Sequence, residues 1–335
     1  MPSDLDHEFE VIGNYFAGTL AHRHAERARE IIDLWQPDLL VCDDMDFGAM
    51  IAAEQAGIPR IVVNVIASGA LTRIEHVHRP LAQLRQMYGL PSDPNLVQLT
   101  RDLIISPGPS SFRHPNFPLS SGAISVRSET EPARADIDHP AVAWLAGGNE
   151  AHRVYVTLGT IFNTESGDLF IRVLQGLRDL PVRVLATVGP AIDPASIPVT
   201  ADNIRIERFV QQAAVLEHCD LVINHGGSGS VLGAIANGVP LITLPMGADQ
   251  ELNAERLTQL GAGITLDPIT VTSADIRETT RTALASKNLC AGAQRLQREN
   301  HDLPPVSAVL GSILATRELT THTESGAEHP APRVG

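Results

Sequence analysis

The chain's architecture is written most densely into residues 223–257, INHGGSGSVLGAIANGVPLITLPMGADQELNAERL. An apolar run ends at Asn224 and a helical run opens near Ser228, with Gly226, Gly227 and Gly229 at the turn. A buried strand entering a helix through so short a turn is half of a parallel β–α unit. In such sheets ligands sit outside the carboxyl ends of the strands. The helix start offers unpaired N–H groups and the positive end of a dipole, which together favour phosphate. Glycine lets the backbone approach such a ligand closely. Ser230 adds a hydroxyl and His225 a ring N–H, so a diphosphate fits these donors. Three other readings stay open on the turn alone. Gly227, Gly229 and Gly233 mimic a dinucleotide fingerprint with Asp249 about twenty residues on, although that fingerprint usually follows the first strand of its domain. GGSGS resembles a nucleophile elbow, but Ser230 stands where that motif needs glycine. The plainest reading is a helix N-cap whose glycines serve tight packing.

Working outward, the same alternation extends in both directions. Strands are expected at VYVTL (154–158), VRVLATV (182–188), NIRIERF (203–209), DLVIN (220–224), PLITL (240–244) and GAGITL (261–266). Helices fall between them, around 166–179, from about 211, to Asn237, over 249–260 and across 273–300. Near the N-terminus a helix over 8–35, the strand PDLLVCDD, a helix over 47–56 and the strand RIVVNVI form another such unit. A helix near 78–89 and a strand RDLIIS follow, with Pro-rich loops. The pattern predicts an α/β protein of two parallel, doubly wound domains. Residues 1–135 form the first, 136–150 a linker, and 151–302 the second. A C-terminal helix at about 303–317 is expected to pack back on the first domain, and 318–335 form a disordered tail.

Composition narrows the partners. The 335 residues carry a net charge of −14, with 43% hydrophobic and 19% charged residues. That balance describes a globular protein and opposes nucleic acid or anionic membrane as partners. Cys42, Cys219 and Cys290 lie far apart, with no CxxC and no His/Cys cluster, which predicts reduced thiols, a cytoplasmic location and no zinc site. No run reaches the length of a membrane span, and MPSDLDHEFEVIG has no signal-peptide pattern.

The residues after the turn favour a sugar nucleotide. Asp249 and Gln250 stand at the end of the next strand, where a carboxylate and an amide can hold sugar hydroxyls. Phe209 follows the preceding strand and can stack on a base, with Gln212 three residues on. VTLGT (156–160), RFVQQAAVL (208–216), HGGSGSVLGAIANGVP (225–240) and DQELNA (249–254) resemble, in order and spacing, the donor domain of the UDP-glycosyltransferase superfamily. They are closest to the bacterial enzymes that glycosylate macrolides and other natural products. The resemblance implies a GT-B fold, two facing Rossmann-like domains, with a nucleotide-diphosphate sugar in the second and a small, hydrophobic acceptor in the first. It implies that Gly159 and Thr160 approach the phosphates and that Phe209 stacks on the base. Val210 and Gln212 would read base or ribose. His225, Gly227, Ser228, Gly229 and Ser230 would hold the diphosphate, and Asp249 and Gln250 the transferred sugar. It further implies inverting, metal-independent transfer to an acceptor hydroxyl, without a cofactor.

Three departures bear on that expectation. Gln211 stands where the family usually has proline. Gly233 stands where many members carry a glutamate on the ribose hydroxyls, which leaves uridine and deoxythymidine donors equally open. The family's first strand and its G-H-x-x-P loop, bearing the base histidine, have no counterpart here, so the first domain is expected to be truncated. Asp43, with Asp44 beside it, matches the aspartate that orients that histidine. His22, His24, His76 and His78 are the substitutes to consider, the last two ahead of the others. The D-M-D within DDMD reads as an acidic helix N-cap and not a metal motif. A catalytically impaired sugar-nucleotide-binding homologue is the second reading, and an NADP-dependent oxidoreductase the third.

Overall fold

The computed structural model describes residues 4–129, 138–147, 152–159 and 167–311. Thr160, residues 136–137 and 148–150 of the expected linker and the expected tail 318–335 lie outside the described residues. Two parallel sheets organise the chain, one of four strands and one of six.

The four-stranded sheet runs in the order β1 (Leu40–Asp43), β2 (Arg60–Val63), β3 (Leu103–Pro107), β4 (Ile124–Val126). Ahead of it a continuous helical rod holds α1 (Leu5–Val11), a π-helical stretch (Ile12–Leu20) and α2 (Ala21–Trp35), longer at its start than the sequence suggests. α3 (Phe47–Ala56) and α4 (Ile74–Met87) complete this layer. Asp46 caps α3 by accepting the Ala49 N–H at 3.0 Å. Alternate strand residues go to opposite faces, as the period of two requires. Val62 and Ile104 join Ile12, Phe47, Met50 and Leu81 on the helical side. Ile61, Ile105 and Val126 face the other way, where Val309 covers them from the helical residues 306–311.

The six-stranded sheet runs in the order β10 (Gly263–Thr265), β9 (Leu241–Thr243), β8 (Leu221–Asn224), β5 (His152–Thr157), β6 (Val182–Thr187), β7 (Ile204–Glu207). Within the expected linker, α5 (Pro140–Ala146) instead buries Ala141, Val142 and Leu145 against this sheet. α6 (Leu169–Leu177), α7 (Gln212–Leu216), α8 (Ser228–Asn237), α9 (Gln250–Gln259), α10 (Ser273–Ala285) and α11 (Lys287–His301) follow. Val154, Val156 and Ile223 pack into one apolar cluster, and Tyr155 and Val222 into the one on the opposite face. Covered on both faces, β8 (LVIN) is buried along its whole length.

The order of these strands fixes where a ligand can enter. The chain builds outward from β5 through β6 to β7, then returns to lay β8 on the other side of β5. The crevice at the carboxyl ends of β5 and β8 is therefore the topological switch point of the sheet. Thr157 and Asn224 pair across it.

Candidate functional site

A cavity of about 420 Å³ opens at this switch point. Nine of the residues singled out in the sequence line it: Gly159, Phe209, Val210, Gln212, His225, Gly227, Ser230, Asp249 and Gln250. They come from four strand ends, which the parallel register brings to one edge.

The His225 ring is held between two glycines. A Cβ on Gly159, whose φ is +77°, would stand 2.8 Å from Nε2 and Cε1. A Cβ on Gly227 would press on the same ring, 3.1 Å from Cε1. Burial, the largest influence, holds the imidazole below its ordinary pKa, while Asp249 and a Thr157 backbone hydrogen bond pull it upward. Burial thus favours the neutral form, and the Nε2–Cε1 edge of the ring lies at Gly159 and Gly227.

The turn itself is fixed from below by Asn224, which is fully buried. Its Oδ1 accepts the Gly226 N–H at 3.0 Å, and its Nδ2 donates to Ser230 Oγ at 2.8 Å. Ser228 and Gly229 do not line the cavity. Ser228 Oγ donates to Asp249 and accepts the Ala67 N–H of the first domain at 2.7 Å. Asn253, also fully buried, donates to Asp249 Oδ2 at 2.7 Å and to Gly226 O at 3.0 Å. Its Oδ1 accepts the Ser68 N–H at 3.2 Å. The glycine turn and the loop after β2 are therefore tied together through Ser228 and Asn253.

Asp249 opens α9, and Gln250 Oε1 accepts the Met246 N–H at 2.8 Å. Ala248, between the strand and this pair, sits at φ +54°, a conformation that non-glycine residues rarely adopt outside functional sites. Phe209 is 62% exposed at the cavity mouth, an apolar face open to a stacking partner. Gln212 Nε2 donates to Ser230 O at 3.3 Å. It also fills the space before Gly233, where a Cβ would approach it to 2.5 Å. Gly233 thus makes room for Gln212, which gives the third glycine of the apparent dinucleotide fingerprint a packing reason.

The sequence reading missed Tyr155, Thr157, Thr187, Arg208 and Ala248, all of which line the cavity. Tyr155 Oη and Thr187 Oγ1 meet at 2.9 Å on its floor. Arg208 brings a cation, 3.5 Å from Asp193. No signal in the sequence could have found the two threonines, since polar ends of buried strands are common.

The first-domain candidates lie apart from this cavity. Asp43 is exposed and accepts the Met45 N–H at 2.8 Å. Asp44 turns inward and accepts the Val65 N–H at 2.9 Å. His24 Nδ1 lies 3.1 Å from Asp46, and His22 faces Glu26 and Tyr88. His76 stacks on Phe9, and neither it nor His78 lines the cavity.

Comparison with known proteins agrees with the geometry. Residues 172–315 match the C-terminal domain of the erythromycin biosynthesis protein CIII-like family. The chain is 30% identical over 297 residues to the 3-alpha-mycarosylerythronolide B desosaminyl transferase of Saccharopolyspora erythraea, covering 83% of this chain and 68% of that protein. It is a glycosyltransferase of the UDP-glycosyltransferase superfamily. The L-demethylnoviosyl transferase of Streptomyces niveus, also 30% identical, aligns over 88% of this chain and 75% of its own. The solved spinosyn forosaminyltransferase superposes with a TM-score of 0.68 at 27% identity, covering 87% of this chain and 79% of that one. The fold of this glycosyltransferase is accordingly GT-B, with the two sheets as its Rossmann-like domains. Among the described residues no helix is long and apolar enough to cross a membrane.

Proposed function

We propose that this glycosyltransferase binds a nucleoside-diphosphate sugar in the cavity at the β5–β8 switch point and transfers the sugar to a hydroxyl of a small natural product. The base stacks on Phe209. The diphosphate lies against His225, Gly227, Ser230 and the start of α8, and the sugar meets Asp249 and Gln250. The acceptor oxygen attacks the anomeric carbon from the face opposite the diphosphate, so the configuration inverts. Leaving-group charge is met by helix-end N–H groups and the His225 N–H, without a metal ion.

The observation that carries this reading is the His225 ring, wedged between Gly159 and Gly227 at the mouth of the switch point. Such a seat supports the reading because it holds the ring rigidly beside the turn proposed to take the phosphates. Calorimetry with thymidine diphosphate and uridine diphosphate, each with and without EDTA, tests the reading. Binding of at least one, unchanged by EDTA, is expected. Absence of binding by both, or its loss on chelation, would refute it.

A further inference from the structure

The last residue of β8 breaks an otherwise apolar strand: LVI ends in Asn224, which is fully buried. A fourth apolar residue would fill the place without desolvating an amide, so the asparagine stands there for its hydrogen bonds. Backbone pairing fixes its position. Asn224 is in register with Thr157 of β5, and its carbonyl accepts the Leu244 N–H at 2.8 Å. Alternation puts its side chain on the same face as Val222, which packs with Val231 and Ala234 of α8. The amide therefore lies under the first turn of that helix.

One neighbour decides which way the amide points. A backbone N–H can only donate, so the Gly226 N–H, at 3.0 Å, must meet Oδ1. Nδ2 is then the atom 2.8 Å from Ser230 Oγ, and it too can only donate. The serine oxygen accepts this bond, which leaves its own hydrogen for another partner. Ser228, two residues earlier, is used the other way. Its Oγ accepts the Ala67 N–H and gives its hydrogen to Asp249. Of the two hydroxyls in the first turn of α8, one thus spends its hydrogen inside the protein. The other, on Ser230, lines the switch-point cavity, which Asn224 itself does not.

We propose that Asn224 is a positioning residue for the nucleotide sugar. By donating to Ser230 Oγ from below, it makes the serine a fixed donor whose hydrogen is turned toward the diphosphate. A donor oriented before the charge arrives needs no reorganisation when it does. This deepens the proposed function and rests on it for the diphosphate.

Asn224→Asp reverses the direction of one bond. Aspartate has the same shape and still accepts the Gly226 N–H, but its second oxygen accepts where the amide donated. Ser230 then gives its hydrogen to that oxygen and withholds it from the ligand. Asn224→Thr is the neutral companion: its side chain is one atom shorter, which removes the donor without adding charge.

Both are combined with Ser230→Ala. Thymidine diphosphate and uridine diphosphate are titrated by calorimetry, and the fold of each variant is read by circular dichroism. For the nucleotide that the wild type binds, Ser230→Ala and Asn224→Asp should each raise Kd about tenfold or more, the scale of a hydrogen bond to a charged group. Asn224→Thr should raise it about threefold, since the serine is then free to turn away. In the Ser230→Ala background the cost of Asn224→Asp should shrink at least about threefold, what remains being repulsion by the new carboxylate, and that of Asn224→Thr should vanish. An asparagine that merely supports the strand end would cost the same in both backgrounds. Equal costs, in whichever Asn224 variant is folded, would therefore overturn the proposal, and so would wild-type affinity in Asn224→Asp. Two unfolded Asn224 variants would overturn it as well, because the residue would then hold the fold and not one hydroxyl. A wild type that binds neither nucleotide overturns the donor reading and this proposal with it, whereas binding with equal costs overturns this proposal alone.

Discussion

Replacing Gly227 by alanine should remove the contribution of His225 without touching His225. The backbone at Gly227 lies at φ −63° and ψ 142°, ordinary values for alanine, so the substitution strains nothing locally. Its Cβ, however, would sit 3.1 Å from Cε1 and 3.3 Å from Cδ2 of the imidazole, and closer still to Nε2. Carbon contacts are comfortable at about 3.5–4.0 Å, so the ring must move by roughly 1 Å. A hydrogen bond stretched by that amount is no longer one. The loss should therefore approach that of His225→Ala, about 1–3 kcal/mol for a bond to a charged group, or roughly 5- to 150-fold in Kd. Thymidine diphosphate calorimetry on wild type, Gly227→Ala, His225→Ala and the double variant gives the cycle. If the methyl acts through the ring, the double variant binds like His225→Ala, because the ring is no longer there to be displaced. If the methyl struck the phosphate directly, the two costs would add. Wild-type affinity in Gly227→Ala, or additive costs in the cycle, would refute the wedge argument.

Two further outcomes follow from single positions. Gln211 sits at φ −60°, the angle proline fixes, so Gln211→Pro should raise stability by about 0.4–1 kcal/mol through the unfolded state, read as a rise in Tm; a fall would show that the ring clashes or that the amide is needed. Asp44 is raised by burial and by Asp43, against Arg113 and the Val65 N–H, from 3.8 to about 6. A raised carboxyl favours the fold below its unfolded pKa and loses that contribution as pH climbs through about 6. Asp44→Asn should therefore match the wild type near pH 4 and exceed it near pH 8 by up to about 3 kcal/mol in chemical denaturation, and a gap independent of pH would contradict the buried carboxyl.

The switch-point cavity was legible because its information is local. Strand end, glycine turn and helix start lie within residues 221–237, and the parallel register then brings other strand ends to the same edge without further instruction. What stayed hidden depends on pairs remote in sequence or on backbone angle. Asn253 and Ser68 meet across 185 positions. Nothing in the letter at position 248 announces an alanine at φ +54°. α5 was hidden in a charged, glycine-flanked stretch that reads as linker, and β4 in three residues of a turn-rich run, too short for a period of two to declare itself. The choice between Asp43 and Asp44 is of the same kind. Neighbours on a strand end face opposite ways, and only the fold says which of them turns inward.

The departure at Gly233 shows how a difference read from one position can change meaning in three dimensions. Read alone, glycine where relatives of this superfamily carry a longer acidic chain looks like the loss of a polar contact. In the fold, the vacated space is taken by the Gln212 amide, which would collide with any Cβ at 233 and is steadied by Ser230 O. Gln212 lines the donor cavity beside Phe209, so a polar group still stands next to the stacking position. Its amide can donate as well as accept. A side chain at 233 would require the flexible Gln212 amide to shift.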